Sequence, residues 1–347
     1  MLADELDYVV GVDTHRDTHS FAVVEVRSGA VVFEATAVAD GEGYACMLRL
    51  ASRHAPGRRA FAVEGTGSFG AGLTRFLTRH DEQVLEVGRL RRERSSGKSD
   101  ALDAIRAARS VLAQTRSPHP RAHGEREALR ALMAAHEGAV SARRAGLCQL
   151  RGLLVSAPEP LRAELRSLTR AQLLRRLTAV RPERRQDPEL RGTLLALRAL
   201  ARRVKALTVE ERELVREIEA LTRKLAPQLL EQPGVGPLAA AQVLISWSHR
   251  GRITSEAAFA RLAGCAPIPA SSGQTVRYRL DRGGDRRLNR ALHMILLTRR
   301  RAHAPTIAYI NRRIQEGKSR REATRCLKRY LARNLYRLLE NGPSLAA

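Results

Sequence analysis

Asp13, Glu64, Asp100 and Asp103 are the side chains here whose types and placement speak most directly of chemistry. Asp13 closes a β-branched run, YVVGVDT, and Glu64 lies in a second one, RRAFAVEGTGS, so both read as strand residues. Asp100 and Asp103 fall in GKSDALDAIRAARS, a helical pattern. Their i, i+3 spacing puts both carboxylates on one helix face. An unpaired acid is costly to bury. Divalent cations remove that cost and supply phosphoryl-transfer chemistry; Mg²⁺ is the expected ion, with Mn²⁺ as the alternative. His15 and His19 flank Asp13. They are expected to be exposed turn residues rather than ligands.

A second candidate lies far downstream, in CAPIPASSGQTVRYRLDRGGDRRLNRAL. Pro267 and Pro269 make the approach extended, and Gly273 frees the turn after Ser271 and Ser272. A serine among Arg277, Arg279, Arg286, Arg287 and Arg290 could attack a phosphodiester, with the guanidinium groups stabilising the pentavalent oxyanion. The same loop also reads as an ordinary turn. Upstream, LLEQPGVGPLAAAQVLI resembles a helix-hairpin-helix turn. Gly234 and Gly236 permit a tight bend whose following helix offers free N–H groups to a phosphate.

The elements that must position these groups divide the chain into three expected regions. Residues 1–118 alternate as three strands in meander order, then helix, strand, helix, strand and the helix of Asp100. That is the order of a ribonuclease H-like fold, in which the first and fourth strands are neighbours and the last helix crosses their ends. Residues 119–228 are expected to be helical, beginning at the boundary signal SPHPRAH. They include a heptad seam of Leu197, Leu200, Val204, Leu207, Leu214, Ile218, Leu221 and Leu225. The seam favours a coiled coil over a hairpin within the chain, and a capping-box match at Thr208 and Glu211 allows it to be two helices. Arg143 and His136 interrupt an earlier apolar stripe, as Glu211 interrupts this one. Residues 229–347 form the third, mainly helical region.

Composition sets the partner. The chain has 347 residues, 44% of them hydrophobic, a net charge of +25 and a pI near 11.3. The charge is segregated. Residues 1–90 carry a net −4, whereas residues 272–347 alone carry +14. This pattern points to a polyanion, DNA or RNA, held away from the acids. A genomic preference for Arg over Lys explains the type of base but not the excess. No apolar run is long enough to span a membrane, and the acidic start MLADELD is unlike a signal peptide, so the cytoplasm and its nucleoid are the expected setting. Cys46, Cys148, Cys265 and Cys326 have neither disulfide-framework nor metal-ligand spacing, and His119 and His123 lack a cysteine pair to complete a zinc site.

Taken together, GVDTHRDTH, AVEGTGS, KSDALDA, PGVG and PIPASSGQ resemble the DEDD transposases of the IS one-ten (IS110) insertion-sequence family, to which Piv-type DNA invertases are related. The resemblance runs over nearly the whole chain in order. It implies a RuvC-like domain whose metal ligands are Asp13, Glu64, Asp100 and Asp103. It also implies a serine nucleophile before glycine, a place that Ser272 fits and Ser271 rivals. It further implies excision and site-specific insertion through a phosphoserine–DNA intermediate, guided by a structured noncoding RNA that pairs with donor and target DNA. Dimers that assemble into a tetramer, with sites shared between subunits, belong to the same expectation. Two other readings compete: a metal-only nuclease of the junction-resolvase kind, and a non-catalytic nucleic-acid-binding protein. An actin-like ATPase would place glycine where His15 stands, and so fits poorly.

Overall fold

The computed structural model describes residues 2–88, 99–115, 119–184, 186–274, 278–281 and 283–342. They form two compact units, the first of residues 1–123 with 248–254, the second of residues 124–247 with 255–347.

The first unit is a five-stranded mixed sheet between helices. In chain order come α1 (Leu2–Glu5), β1 (Tyr8–Thr14), β2 (Thr18–Glu25), β3 (Val31–Val38), α2 (Gly41–His54), β4 (Arg59–Glu64), α3 (Ala71–Arg79), β5 (Val84–Val87) and α4 (Asp100–Leu112). The strands lie in the order β3-β2-β1-β4-β5. β1 pairs with β2 antiparallel and with β4 parallel, so the first and fourth strands are neighbours, as the element order requires. Strand alternation splits the apolar residues between two faces. Val10, Val12, Phe21, Val23, Phe61 and Val63 pack with Met47 of α2 and Leu73 and Leu77 of α3. Val9, Ala60, Ala62 and Leu85 face Ala107, Ala108 and Val111 of α4. Ser99 caps α4 by accepting from the Leu102 amide at 3.2 Å.

Gly11 sets how close α4 comes. A Cβ built on it would lie 2.0 Å from the Ala104 carbonyl oxygen and 2.6 Å from the Ala108 nitrogen. Helix backbone therefore rests directly on β1, which only glycine below and alanines above permit.

The second unit is helical apart from a small hairpin. It contains α5 (Glu125–Val155), α6 (Glu159–Leu165), α7 (Arg170–Ala179), α8 (Pro188–Leu225), α9 (Pro227–Leu230), α10 (Pro237–Trp247), α11 (Glu256–Leu262), β6 (Pro267–Pro269), β7 (Tyr278–Leu280), α12 (Arg286–Ala302), α13 (Ala304–Gln315) and α14 (Arg320–Asn341). The division of the heptad seam into two helices that the capping-box match allowed does not occur. α8 runs unbroken, and the Thr208 hydroxyl donates to the Val204 carbonyl at 2.7 Å, a bond within the helix rather than a cap. The seam also finds its partner inside the chain. α8 packs antiparallel on α5, with Lys224 paired to Glu125, Arg143 to Glu211 at 2.5 Å, and Val204 against Gly146. Leu197, Val204 and Ile218 are buried in the seam. Two of the three polar interruptions read from the sequence, Arg143 and Glu211, thus answer each other.

Residues 240–247 of α10 are all buried. Arg126 closes that helix by donating to the Ile245 carbonyl at 2.7 and 3.2 Å, which satisfies one of its free terminal acceptors. Among the described residues no helix is long and apolar enough to cross a membrane.

Candidate active site

Asp13 and Glu64 stand at the carboxyl ends of two adjacent parallel strands, β1 and β4. Counting in twos from Gly11 and Ala62 puts both on the face that α4 covers. The Thr14 hydroxyl donates to the Glu64 carbonyl at 2.8 Å and ties the two strand ends together. Beyond Glu64 the backbone turns at Gly65, with φ of +70°, a conformation glycine adopts without strain. Asp100 begins α4 and Asp103 lies one turn on, so the contact at Gly11 that seats α4 also sets their height above Asp13.

His15 joins them. Its Nδ1 lies 3.7 Å from an Asp13 oxygen and its Nε2 lies 4.0 Å from an Asp100 oxygen. Donor atoms of Asp13, His15 and Asp100 all fall within 4.8 Å of one another. The imidazole expected to be a bystander therefore sits at the site. Asp103 is held by Arg106 at 2.8 Å, one turn along the same helix. Glu64 is partly buried at the neighbouring strand end. His19 departs from expectation in the other direction. It is fully buried on the opposite face of the sheet, where its ring stacks on Tyr44. Its Nε2 has no hydrogen-bond partner among the described residues.

The electrostatics are those of a site short of positive charge. Burial, and then the nearby Asp100 and Asp103 carboxylates, hold the Asp13 carboxyl above the usual carboxylate range, and His15 opposes them. Carboxylate oxygens are the donors that Mg²⁺ and Mn²⁺ favour, and a cation between these acids would remove the repulsion that Asp13 experiences. The donor set fits such an ion.

The serine loop belongs to the second unit. Ser271 and Ser272 are exposed beside β6, and Gly273 turns with φ of +55°, as the loop reading requires. β6 and β7 pair antiparallel, Ile268 opposite Arg279. Arg279 and Arg286 are exposed, whereas Arg287 and Arg290 both pair with Glu137 of α5. Arg277 lies outside the described residues. Gly234 adopts φ of +74° and packs so tightly that an added Cβ would sit 3.1 Å from the Ile295 carbonyl of α12. Arg299 donates to the Pro233 carbonyl at 2.6 Å. Gly236 has open space where a Cβ would go and immediately precedes α10.

Two comparisons with known proteins bear on these residues. Residues 226–311 match the family described as "Transposase IS116/IS110/IS902 family", and residues 10–158 match the DEDD transposase model of the IS110 group, described as "Transposase". The chain belongs to the IS110 family of DEDD transposases. The first of these stretches contains Gly234, Gly236 and the serine loop, and the second contains all four acids. A member of the IS110 group, "Insertion element IS110 uncharacterized 43.6 kDa protein" of Streptomyces coelicolor, is 31% identical over 155 residues. That match covers 44% of this chain and 38% of the relative's length.

Proposed function

We propose that this protein excises and inserts an insertion sequence, using the acids of the first unit as a divalent-cation site and Ser272 as the nucleophile. The observation that carries the reading is the approach of α4 to β1, which brings Asp100 and Asp103 to Asp13 in a member of a transposase family. In this reading residues 1–118 are a RuvC-like metal-binding domain and residues 119–228 a helical, coiled-coil-like linker. Residues 229–347 are then the serine domain, with a helix-hairpin-helix element at Gly234 and Gly236. Asp13, Glu64, Asp100 and Asp103 would hold Mg²⁺ or Mn²⁺, which when bound neutralises phosphate charge and stabilises the charge that develops in phosphoryl transfer.

The remaining chemistry falls to the chain's own side chains. The Ser272 oxygen forms a bond to phosphorus as a backbone P–O bond breaks, and its proton is passed to the departing DNA oxygen. A phosphoserine and a free DNA hydroxyl result. A hydroxyl of the other DNA partner then attacks the phosphoserine, joins the new strand and returns a proton to the serine. Arg279 and Arg286 offer exposed cations to the phosphates, and Arg277 is proposed to act with them. Arg287 and Arg290 must exchange Glu137 for phosphate. Because acids and serine belong to different units, the reading needs a serine-bearing unit, from the same or another copy, to meet an acid-bearing one. A homodimer or homotetramer acting on donor and target DNA with a structured guide RNA, in the cytoplasm, would meet that need.

The test is a cellular recombination assay on a mini-element with its native flanks. Asp13→Ala and Ser272→Ala should each lower joining by roughly 10³-fold or more, and Ser271→Ala should leave it intact. A denaturing gel should show labelled DNA attached covalently to the wild type and not to Ser272→Ala. The exposure of Ser272 keeps one second reading, a metal-only nuclease. Full joining by both serine variants, with none by Asp13→Ala, would establish that reading instead.

A further inference from the structure

Tyrosine is scarce in this chain, with 6 residues in 347, yet Tyr278, Tyr309 and Tyr330 all line one cleft of the second unit. The cleft lies between β7, α13 and α14 and has a volume of about 720 Å³, within the roughly 300–1,000 Å³ of pockets that take a small ligand. Tyr278 is 65% exposed and Tyr330 47% exposed, so both present open ring surface. Tyr309 meets Tyr330 edge-on at 5.9 Å, which fixes the angle between the two rings.

Cations make up much of the rest of the wall, beside small and apolar residues such as Ala266 and Pro267. Arg279, Lys318, Arg325 and Lys328 line it, and no ion pair holds any of them among the described residues. Glu322 is the acid on the wall, and it is already occupied by the amide and hydroxyl of Ser319 in a capping box. Arg313 and Arg329 are paired on one side, to Glu316 and Glu256, yet Nε of Arg313 and Nη1 of Arg329 are buried with no hydrogen-bond partner among the described residues. Burial, and then Arg325, hold the Lys328 ammonium below the usual lysine range, with Cys265 opposing. Concentrated cations in a concave, partly buried wall repel one another, and an anion relieves that cost.

We infer that this cleft takes an unpaired nucleotide of a nucleic-acid strand, its base against Tyr278 or Tyr330 and its phosphate on Arg325 and Lys328. A duplex keeps its bases stacked on each other, whereas a single strand can offer both ring face and phosphate to one site. DNA and RNA share this chemistry. Tyr278 and Arg279 follow the serine loop on β7, so a nucleotide held here lies on the hairpin that carries Ser272. The inference needs the polyanion reading but not the serine nucleophile.

The experiment is fluorescence anisotropy with the full chain, using labelled oligo-dT, oligo-U and a blunt duplex of matched length. Tyr278→Ala should weaken single-strand binding about tenfold and change duplex binding less than twofold, and Tyr278→Phe should restore it. Lys328→Gln should weaken single-strand binding with a smaller salt slope. The relative strength of the dT and U arms identifies which strand is held. Equal loss of single-strand and duplex binding in Tyr278→Ala, or no loss of either, overturns the cleft assignment. Absence of binding to every probe by the wild type would instead overturn the nucleic-acid reading beneath it. Tyr330→Ala is the second variant, accepted only if its thermal unfolding matches the wild type.

Discussion

Two histidines four residues apart show how much one strand turn can separate. His15 follows the end of β1 and meets Asp13 and Asp100, whereas His19 points to the other face and is buried against Tyr44. Burial holds the His19 imidazole below the usual histidine range. Its neutral form is therefore the folded form, while the unfolded chain binds a proton below its ordinary value of 6.5. Stability should fall as pH drops through that value and level off below the folded one. The slope from this group cannot exceed about 1.4 kcal/mol per pH unit. Denaturant melts of wild type and His19→Phe between pH 7.5 and 5 check this, and the variant should lose that part of the slope. The strand positions of Asp13 and Glu64 were legible from their β-branched surroundings. The histidines were not, because alternation in a tight hairpin depends on the turn's length and cannot be read from composition.

α4 and β1 behave as one positioning device whose joint is Gly11. Gly11→Ala should cost about 1–3 kcal/mol, because backbone rather than a movable side chain stands in the way. Calorimetry gives the cost. Mg²⁺ titration should show weaker binding as α4 lifts Asp100 and Asp103 away from Asp13. The α5–α8 pair offers a second test. Arg143→Leu alone leaves the partly buried Glu211 unpaired and should cost about 1–3 kcal/mol. Arg143→Leu with Glu211→Leu should recover most of that, and a double-mutant cycle by urea denaturation measures the difference. Strand order and helix periods were plain in the sequence. The partner of the heptad seam was not, since apolar periodicity reports that a face is covered and says nothing of whose helix covers it. Thr208 and Glu211 matched a capping box locally, but packing on α5 kept the helix continuous.

For the molecule as a whole, the net charge of +25 should dominate affinity for any nucleic acid. Proteins that neutralise 6–10 phosphates lose roughly 10³–10⁵ in affinity between 50 and 200 mM salt, and a loss in that range is expected here for DNA by anisotropy. A loss under tenfold would mean that the basic surface is engaged within the protein, as Arg287 and Arg290 are with Glu137. Charge segregation was readable from residue counts. The excursion of residues 248–254 into the first unit was not, for it carries no local signature. There Arg252 pairs with Glu86 of β5 at 2.9 Å, and the Ser248 hydroxyl accepts from the Ala122 amide at 2.9 Å. The chain emerging from a ribosome therefore cannot finish the acid-bearing unit when residue 123 appears. Glu86 waits for its arginine until α5 to α10 have been made. Completion of the acid-bearing unit is in this way tied to synthesis of much of the helical unit, so a chain released early ends with its first unit unfinished.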